Sequence, residues 1–307
     1  RPELAESFEG IHRVVAACDP PALEKLTDAC VLLEPVHMAT DGAGVDDPVR
    51  KACYEADVDF EIFDPQRGEI ARPLMFYAGA DWLPRASQRR LVEYMETGGT
   101  LVVFRQFPQR DENFQPCNEL GIVPPDRILS PLGKKVVVEL NGAKATAEGG
   151  VWNWDDPPGT PIYGQQTPVL QRVIENADVW MRNYIGRKWT CGYVEQRGKG
   201  RLVVIGMPVN AALIRFAHQA FGFGLYAQSE LANIHTGLFR RSDKELILFA
   251  ANMNPADVQA RIRIEGVQLP ATFTLTDLWN ETTRPATPTD LTLDLPRYSG
   301  NAWRITL

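Results

Sequence analysis

Five cysteines, four histidines and 39 acidic side chains are the groups in this chain that could do chemistry. A catalytic Cys or Ser needs a sharp turn after a strand, with flanking glycines that make the turn sterically possible. The turn after the apolar run Thr100–Phe104 reads Arg105-Gln106-Phe107-Pro108 and holds no Cys, Ser or Gly. None of Cys18, Cys30, Cys53, Cys117 and Cys191 stands in a Gly-x-Cys-x-Gly setting. Cys191, followed by Gly192, comes closest, but it opens a predicted strand. There is no Cys-x-x-Cys, and His12, His37, His218 and His235 are scattered without His-x-x-x-His spacing. No zinc site is therefore predicted. The Gly42-Ala43-Gly44 turn lacks the third glycine of a dinucleotide loop and is followed by Asp46 and Asp47, which would repel phosphate. Gly198-Lys199-Gly200 leads into a strand rather than a helix, so it too reads as a tight turn. No catalytic residue, metal or cofactor is assigned.

Sugar chemistry leaves a fainter trace. Glycoside hydrolysis needs two carboxylates facing each other across the sugar, and with 39 acids no pair is specific. Asp81 ends a predicted strand, where open α/β sheets bind ligands; its simpler role is to cap the helix that begins at Pro84. Trp152 and Trp154 stand beside Asp155 and Asp156. An exposed indole next to carboxylates suits a sugar, whose C–H face stacks on the ring while its hydroxyls bond the acids. The simpler role for these rings is to pin a long loop or to fill a subunit interface. Trp180 and Trp189 read as core.

The elements that must position these groups begin with an amphipathic helix over Pro2–Ala17, stopped by Pro20-Pro21. Ala29–Leu33, Asp59–Phe63, Pro73–Ala78 and Thr100–Phe104 read as strands, and helices are expected near Asp46-Asp47-Pro48 and from Pro84 to Thr97, the latter ending at Gly98-Gly99. This rhythm predicts βαβ units: an α/β domain with a parallel sheet and helices on both faces. Residues 124–190, rich in Pro, Gly and Trp, read as an irregular excursion carried by that sheet. The strand Arg201–Gly206 and the helix Asn210–Phe221 close a domain of residues 1–225. Short, evenly spaced strands from Ile234 to Leu307 predict a small all-β sandwich over 226–307.

Composition bounds the partners. Hydrophobic residues make up 44% and charged residues 23%, and the net charge of −7 argues against nucleic acid or an anionic membrane. No stretch approaches the ~20 apolar residues of a membrane helix. Isolated cysteines favour a reducing, cytoplasmic location, with secretion left open. The first residue is Arg1 rather than Met, which suggests that the chain begins inside a longer gene product.

Several segments resemble β-galactosidases of glycoside hydrolase families 35 and 42. Leu74–Leu83, Gln88–Val102 and Pro108–Leu120, with Asp111-Glu112, resemble their middle domain, and Gly198–Gly206 looks like its last strand pair. Leu275-Thr276-Asp277-Leu278-Trp279-Asn280, Leu293–Leu295 and Trp303–Ile305 look like their small C-terminal β domain. The resemblance implies a flavodoxin- or amidotransferase-like sheet that lacks the amidotransferase nucleophile and serves oligomerisation, often as a trimer. It also implies that hydrolysis belongs to a (β/α)₈ barrel with two glutamates. Such a barrel needs about 250 residues of its own, and nothing in this chain matches one.

Three readings follow. The first is a non-catalytic assembly portion of a β-galactosidase-like hydrolase, with itself and the catalytic barrel of the same protein as partners. The second is a stand-alone carbohydrate-binding protein using Trp152 and Trp154. The third is an amidotransferase-like enzyme with Cys191 as an unrecognised nucleophile.

Overall fold

The computed structural model describes residues 2–35, 37, 47–66, 70, 72–129, 135–166 and 188–307. Contacts divide the chain into two compact units. The smaller comprises Arg1–Thr27, Asp57–Asp59 and Gly224–Leu307, and the larger Asp28–Ala56 and Phe60–Phe223. In chain order, α1 (Pro2–Cys18) and β1 (Glu24–Lys25) belong to the smaller unit. The larger unit supplies β2 (Ala29–Leu32), α2 (Asp47–Glu55), β3 (Glu61–Phe63), β4 (Leu74–Tyr77), α3 (Arg85–Thr97) and β5 (Thr100–Phe104). It continues with β6 (Arg127–Leu129), β7 (Lys135–Leu140), β8 (Ala143–Glu148), β9 (Val151–Asn153), β10 (Thr160–Gln166), β11 (Lys188–Arg197), β12 (Gly200–Ile205) and α4 (Ala211–Phe221). The smaller unit resumes with β13 (Ala227–Ser229), β14 (Ile234–Ser242), β15 (Glu245–Asn252) and β16 (Val258–Ile264), then β17 (Phe273–Asp277), β18 (Thr282–Ala286), β19 (Thr292–Leu295) and β20 (Ser299–Thr306).

The larger unit is built on a nine-stranded sheet in the order β3-β2-β4-β5-β12-β11-β10-β7-β8. The first five strands pair in parallel and the last four join by antiparallel pairing. The residue pattern explains the split. Every residue of β2, β4 and β5 is buried, as in strands covered on both sides. In β7 and β8 buried and more exposed residues alternate, as in strands with one wet face. Asn141 and Gly142, both left-handed (φ 50° and 81°), join β7 to β8 in a two-residue hairpin.

This overturns the expected flavodoxin- or amidotransferase-like parallel sheet with helices on both faces. The described residues hold four α-helices against twenty strands, in several sheets, so the chain is mostly β. The physical reason lies in the segment read as an excursion. Hairpin strands need no crossover helix, so β7, β8 and β10 extend the sheet directly instead of riding on it.

Where the helical periodicity is strong, the helices form as the residues predict. Helix α3 buries Leu91, Tyr94 and Met95 against Met75, Tyr77, Leu101, Val103, Leu202 and Val204, and ends at Gly98 with φ 128°. Helix α4 is capped by Asn210, whose side-chain oxygen accepts from Leu213 N at 3.0 Å. Its His218 ring lies 5.8 Å from Phe76. The Gly42-Ala43-Gly44 turn, Asp46 and Trp180 fall outside the described residues.

The smaller unit pairs a six-stranded sheet, β1-β14-β15-β20-β17-β18, with a three-stranded one, β13-β16-β19. Alternation sorts the side chains. Leu246, Leu248, Leu275, Trp303 and Ile305 share one core with Ala260, Ile262, Leu293 and Leu295 of the second sheet. Ile247, Phe249 and Ala302 point the other way, where Val14, Ala17 and Cys18 of α1 cover them.

Candidate functional site

Ligands of open parallel sheets gather beyond the carboxyl ends of the strands. In the larger unit that edge is formed by the segments after β2, β4 and β5. After β5, Arg105 N donates to Met207 O at 3.2 Å, and Gln106 follows with φ +91° and an exposed side chain. A side chain held in that conformation costs of order 1–3 kcal/mol, and nucleophile turns are one place where such strain occurs. Here the displayed group is a carboxamide, which is neither nucleophile nor base at neutral pH. The strained turn was not legible as such, because the residues of Phe104–Pro108 contain no glycine to announce it.

Cys191 does not supply the missing group. It lies inside β11 with no exposed surface, and its thiol donates to Ile162 O at 3.3 Å. Burial pushes it up to about 12, so no thiolate is available near neutral pH.

After β2 the chain places Glu34 and His37, both fully buried. Glu34 Oε2 accepts from Ser87 Oγ at 2.8 Å and its Oε1 from Gln66 Nε2 at 2.9 Å. His37 Nε2 donates to Trp82 O at 2.9 Å, and the two rings meet edge-on at 4.5 Å. With both oxygens engaged and no exposed surface, Glu34 binds the sheet edge together rather than facing a substrate.

After β4, the Asp81 side chain is 58% exposed and lies 3.9 Å from Arg110 Nη1. It does not cap the following helix. Glu112 Oε2 accepts from Arg85 N at 2.8 Å, and this bond holds the Glu112 acid below the usual carboxylate range. Asp111 is buried and its Oδ1 accepts from Asn113 N and Gln115 N, both at 3.0 Å. Gln88, also buried, donates to Leu83 O and Arg110 O and accepts from Glu119 N. The Gln88 and Asp111-Glu112 motifs thus shape one loop around the start of α3.

The tryptophans pack inward. Trp154 is 1% exposed and its Nε1 donates to Val123 O at 2.9 Å. Trp152 is half-buried, with its ring 5.5 Å from Phe107 and 6.2 Å from Trp154, and the Arg105 guanidinium lies 5.8 Å from its centroid. Gly206 permits this packing: a Cβ there would fall 2.6 Å from Trp152 Cβ and 2.7 Å from Trp154 Cζ3. Trp154 therefore has no open face for a sugar. Asp155 and Asp156 are exposed, and Asp155 pairs with Arg127. The residues singled out from the sequence are engaged separately, Asp81 on Arg110 and Asp155 on Arg127. Trp189 is buried.

Among the described residues, no group of three or more His, Cys, Asp or Glu is placed to hold a metal ion. No described helix is long and apolar enough to cross a membrane. The described residues form no (β/α)₈ barrel.

A mixed sheet in one unit and a pair of β-sheets in the other make the described residues a non-barrel module. Residues 33–122 match the family model described as GLMA-like, second domain. The exo-β-D-glucosaminidase of Pyrococcus horikoshii is 30% identical over 161 residues, which span 49% of this chain and 18% of that enzyme. A β-galactosidase from Bacillus circulans sp. alkalophilus aligns over 92% of this chain and 42% of its own, at TM-score 0.64 and 12% identity. Gan42B, a GH42 β-galactosidase from G. stearothermophilus, aligns over 92% and 41%, at TM-score 0.62 and 12% identity. The chain thus spans less than a fifth of the curated relative and about two fifths of these structures. At such identities the structural likeness is one of fold. The matches are thus to parts of glycoside hydrolases, with the fold alone shared with the β-galactosidases.

Proposed function

We propose that this chain is the assembly and support portion of a larger β-galactosidase-like glycoside hydrolase, with hydrolysis carried by a barrel outside these residues. The observation that carries the reading is the extent of the structural match: 92% of this chain aligns with about two fifths of the β-galactosidase structures, in a mixed-sheet architecture and not a barrel. Exposed apolar side chains on the larger unit, Phe114 at 58% and Ile128 at 62%, are groups that self-association would cover.

The test uses the purified chain. Its rates on p-nitrophenyl β-galactoside and β-glucosaminide should equal buffer, and light scattering should give a multiple of 34.3 kDa. Turnover that follows the chain through purification would overturn the non-catalytic reading. A monomer at tens of micromolar would remove the assembly role.

A further inference from the structure

The nine-stranded sheet of the larger unit ends on an open strand, β8. A sheet edge carries unpaired backbone N–H and C=O groups, and proteins blunt it by shortness, proline or bulges. The other edge strands of the described sheets are blunted in these ways. Strands β1, β3, β6, β9 and β13 have two or three residues, β19 has four, and β18 carries Pro285. Strand β8 has six residues, Ala143–Glu148, with no proline and no bulge in its register with β7. Among the described residues it pairs with β7 alone.

The residues of β8 set what that edge can accept. A two-residue hairpin closes on a hydrogen-bonded pair, here Leu140 with Ala143, and bonded and non-bonded pairs alternate from there. Ala143, Ala145 and Ala147 therefore direct their backbone groups to β7, whereas those of Lys144, Thr146 and Glu148 face away from it. The same alternation sorts the side chains. The alanines are buried, and α4 packs on β8. Lys144, Thr146 and Glu148 are exposed. Lys144 lies 3.3 Å from Glu139 and Glu148 lies 3.2 Å from Lys135, both in solvent-exposed pairs across to β7. Neither charge is locked away by burial.

Such a strand is complementary to itself. Set antiparallel about a two-fold axis at Thr146, Lys144 meets Glu148 of a second copy, Thr146 meets Thr146, and Glu148 meets Lys144. These are the residues with outward backbone groups, so each pair can exchange two hydrogen bonds. An axis at Lys144 or at Glu148 would set like charges opposite each other, and one at Ala145 or Ala147 would leave fewer outward groups matched.

We propose that β8 is a self-recognition edge, on which two copies of this chain join in antiparallel register about Thr146 to form one continuous sheet. The proposal rests on the assembly reading and gives that assembly a surface, a register and an even number of subunits. It differs from the trimer that the resemblance implies, because a strand edge that meets itself about a two-fold axis gives pairs.

The test measures the particle mass of the whole chain and its variants by light scattering and sedimentation. The native chain should give an even number of subunits. Thr146→Pro removes the central outward N–H at an edge position, where proline is tolerated, and should halve the mass. Lys144→Glu and Glu148→Lys each set like charges across the axis and should weaken association about tenfold, less so in high salt. Mixing these two variants should restore it, because every pair across the axis is then opposite in sign. A role of either charge within one chain would not produce that rescue. Thr146→Cys should cross-link two chains under mild oxidation, since bonded pairs hold their Cα atoms about 5.5 Å apart, within disulfide reach. Circular dichroism establishes that the variants fold; should Thr146→Pro not fold, the charge variants and their mixture decide. An oligomer indifferent to the variants overturns the proposal and leaves the assembly reading standing. An odd-numbered assembly, or a mixture without rescue, also overturns it. A monomeric native chain overturns both readings.

Discussion

The carboxylate of Glu34, fully buried at the end of β2, accepts a 2.8 Å hydrogen bond from Ser87 Oγ in the first turn of α3. Gln66 donates to its other oxygen at 2.9 Å. One side chain therefore joins the segments after β2 and β3 to the start of a helix. A buried carboxylate is tolerated only when such donors replace its water. The cluster sits where related sheet architectures place ligands, yet its hydrogen bonds point into the protein.

Removing the carboxylate should cost more than removing one donor. Glu34→Ala leaves the buried Ser87 hydroxyl unmatched and a void, and is expected to destabilise the chain by about 3 kcal/mol. Ser87→Ala removes one bond to a charged acceptor, about 2 kcal/mol. Glu34→Gln keeps the shape, and Ser87 Oγ can rotate to accept from the new amide, so about 1 kcal/mol is expected. Urea unfolding of the three variants gives the order. A Glu34→Gln change as costly as Glu34→Ala would show that the charge itself is required.

The five cysteines are free thiols and all are buried. Burial pushes Cys30 and Cys191 up to about 12 and raises Cys53 further. A thiol reagent should label the native chain slowly and all five sites rapidly in denaturant, with the native rate set by opening of the structure. Cys117, the most exposed at 7%, should react first. Fast stoichiometric labelling of Cys191 would contradict its placement and revive it as a nucleophile.

The smaller unit contains two aspartates whose titration works in opposite senses. Burial pushes the Asp277 acid up, but hydrogen bonds from Asn301, Asn280 and Trp279 N outweigh it and leave the group below its usual value. Its stabilisation is therefore present above the unfolded value, about 3.9, and is lost as pH falls through the folded one. Asp57 is raised, chiefly by burial, against bonds from Ser229 N and Thr236 N. Its contribution is full at low pH and is lost as pH rises through its folded value. The difference between wild type and Asp277→Asn isolates the first. That variant should be less stable at neutral pH, with the gap closing below about pH 4. A gap independent of pH would mean that Asp277 acts through shape alone.

What the sequence showed depended on how local each signal was. Helix α3 was legible because Leu91, Tyr94 and Met95 repeat at helical spacing and Gly98-Gly99 stops them. The buried runs of β2, β4 and β5 announced parallel strands. Within 124–190 the residues Lys135–Glu139 read as a short β-like piece, but the extension of the sheet was not seen although Asn141-Gly142, a strong two-residue hairpin signal, sits between two runs of alternating residues. For the Trp152–Asp156 segment two roles stayed open, because adjacency in sequence says nothing of which way a ring faces. Trp154 is buried by Gly206 and Val123, residues remote from it in sequence. Trp279 was quoted only for its resemblance; the Asp277-x-Trp279-Asn280 spacing that fixes its turn carries the local signal.

The last prediction concerns Gln106. A non-glycine residue in the left-handed region costs about 1–2 kcal/mol, and glycine there costs about 0.5–1 kcal/mol through the unfolded chain. At φ +91° the exchange Gln106→Gly should therefore stabilise the chain, by about 1 kcal/mol net, and Gln106→Val should destabilise it more than any change of side-chain polarity alone. Thermal melts of the two variants measure both signs. If glycine stabilises as expected, the chain carries an avoidable strain at the end of β5, and the turn is retained for its path rather than for its side chain. If glycine instead destabilises by more than about 1 kcal/mol, the exposed Gln106 amide makes a contact that offsets the strain, and its partner would be sought in the assembled protein. Repeating the melt on the chain and on its oligomer separates those two cases, since only the second predicts a cost that grows with association.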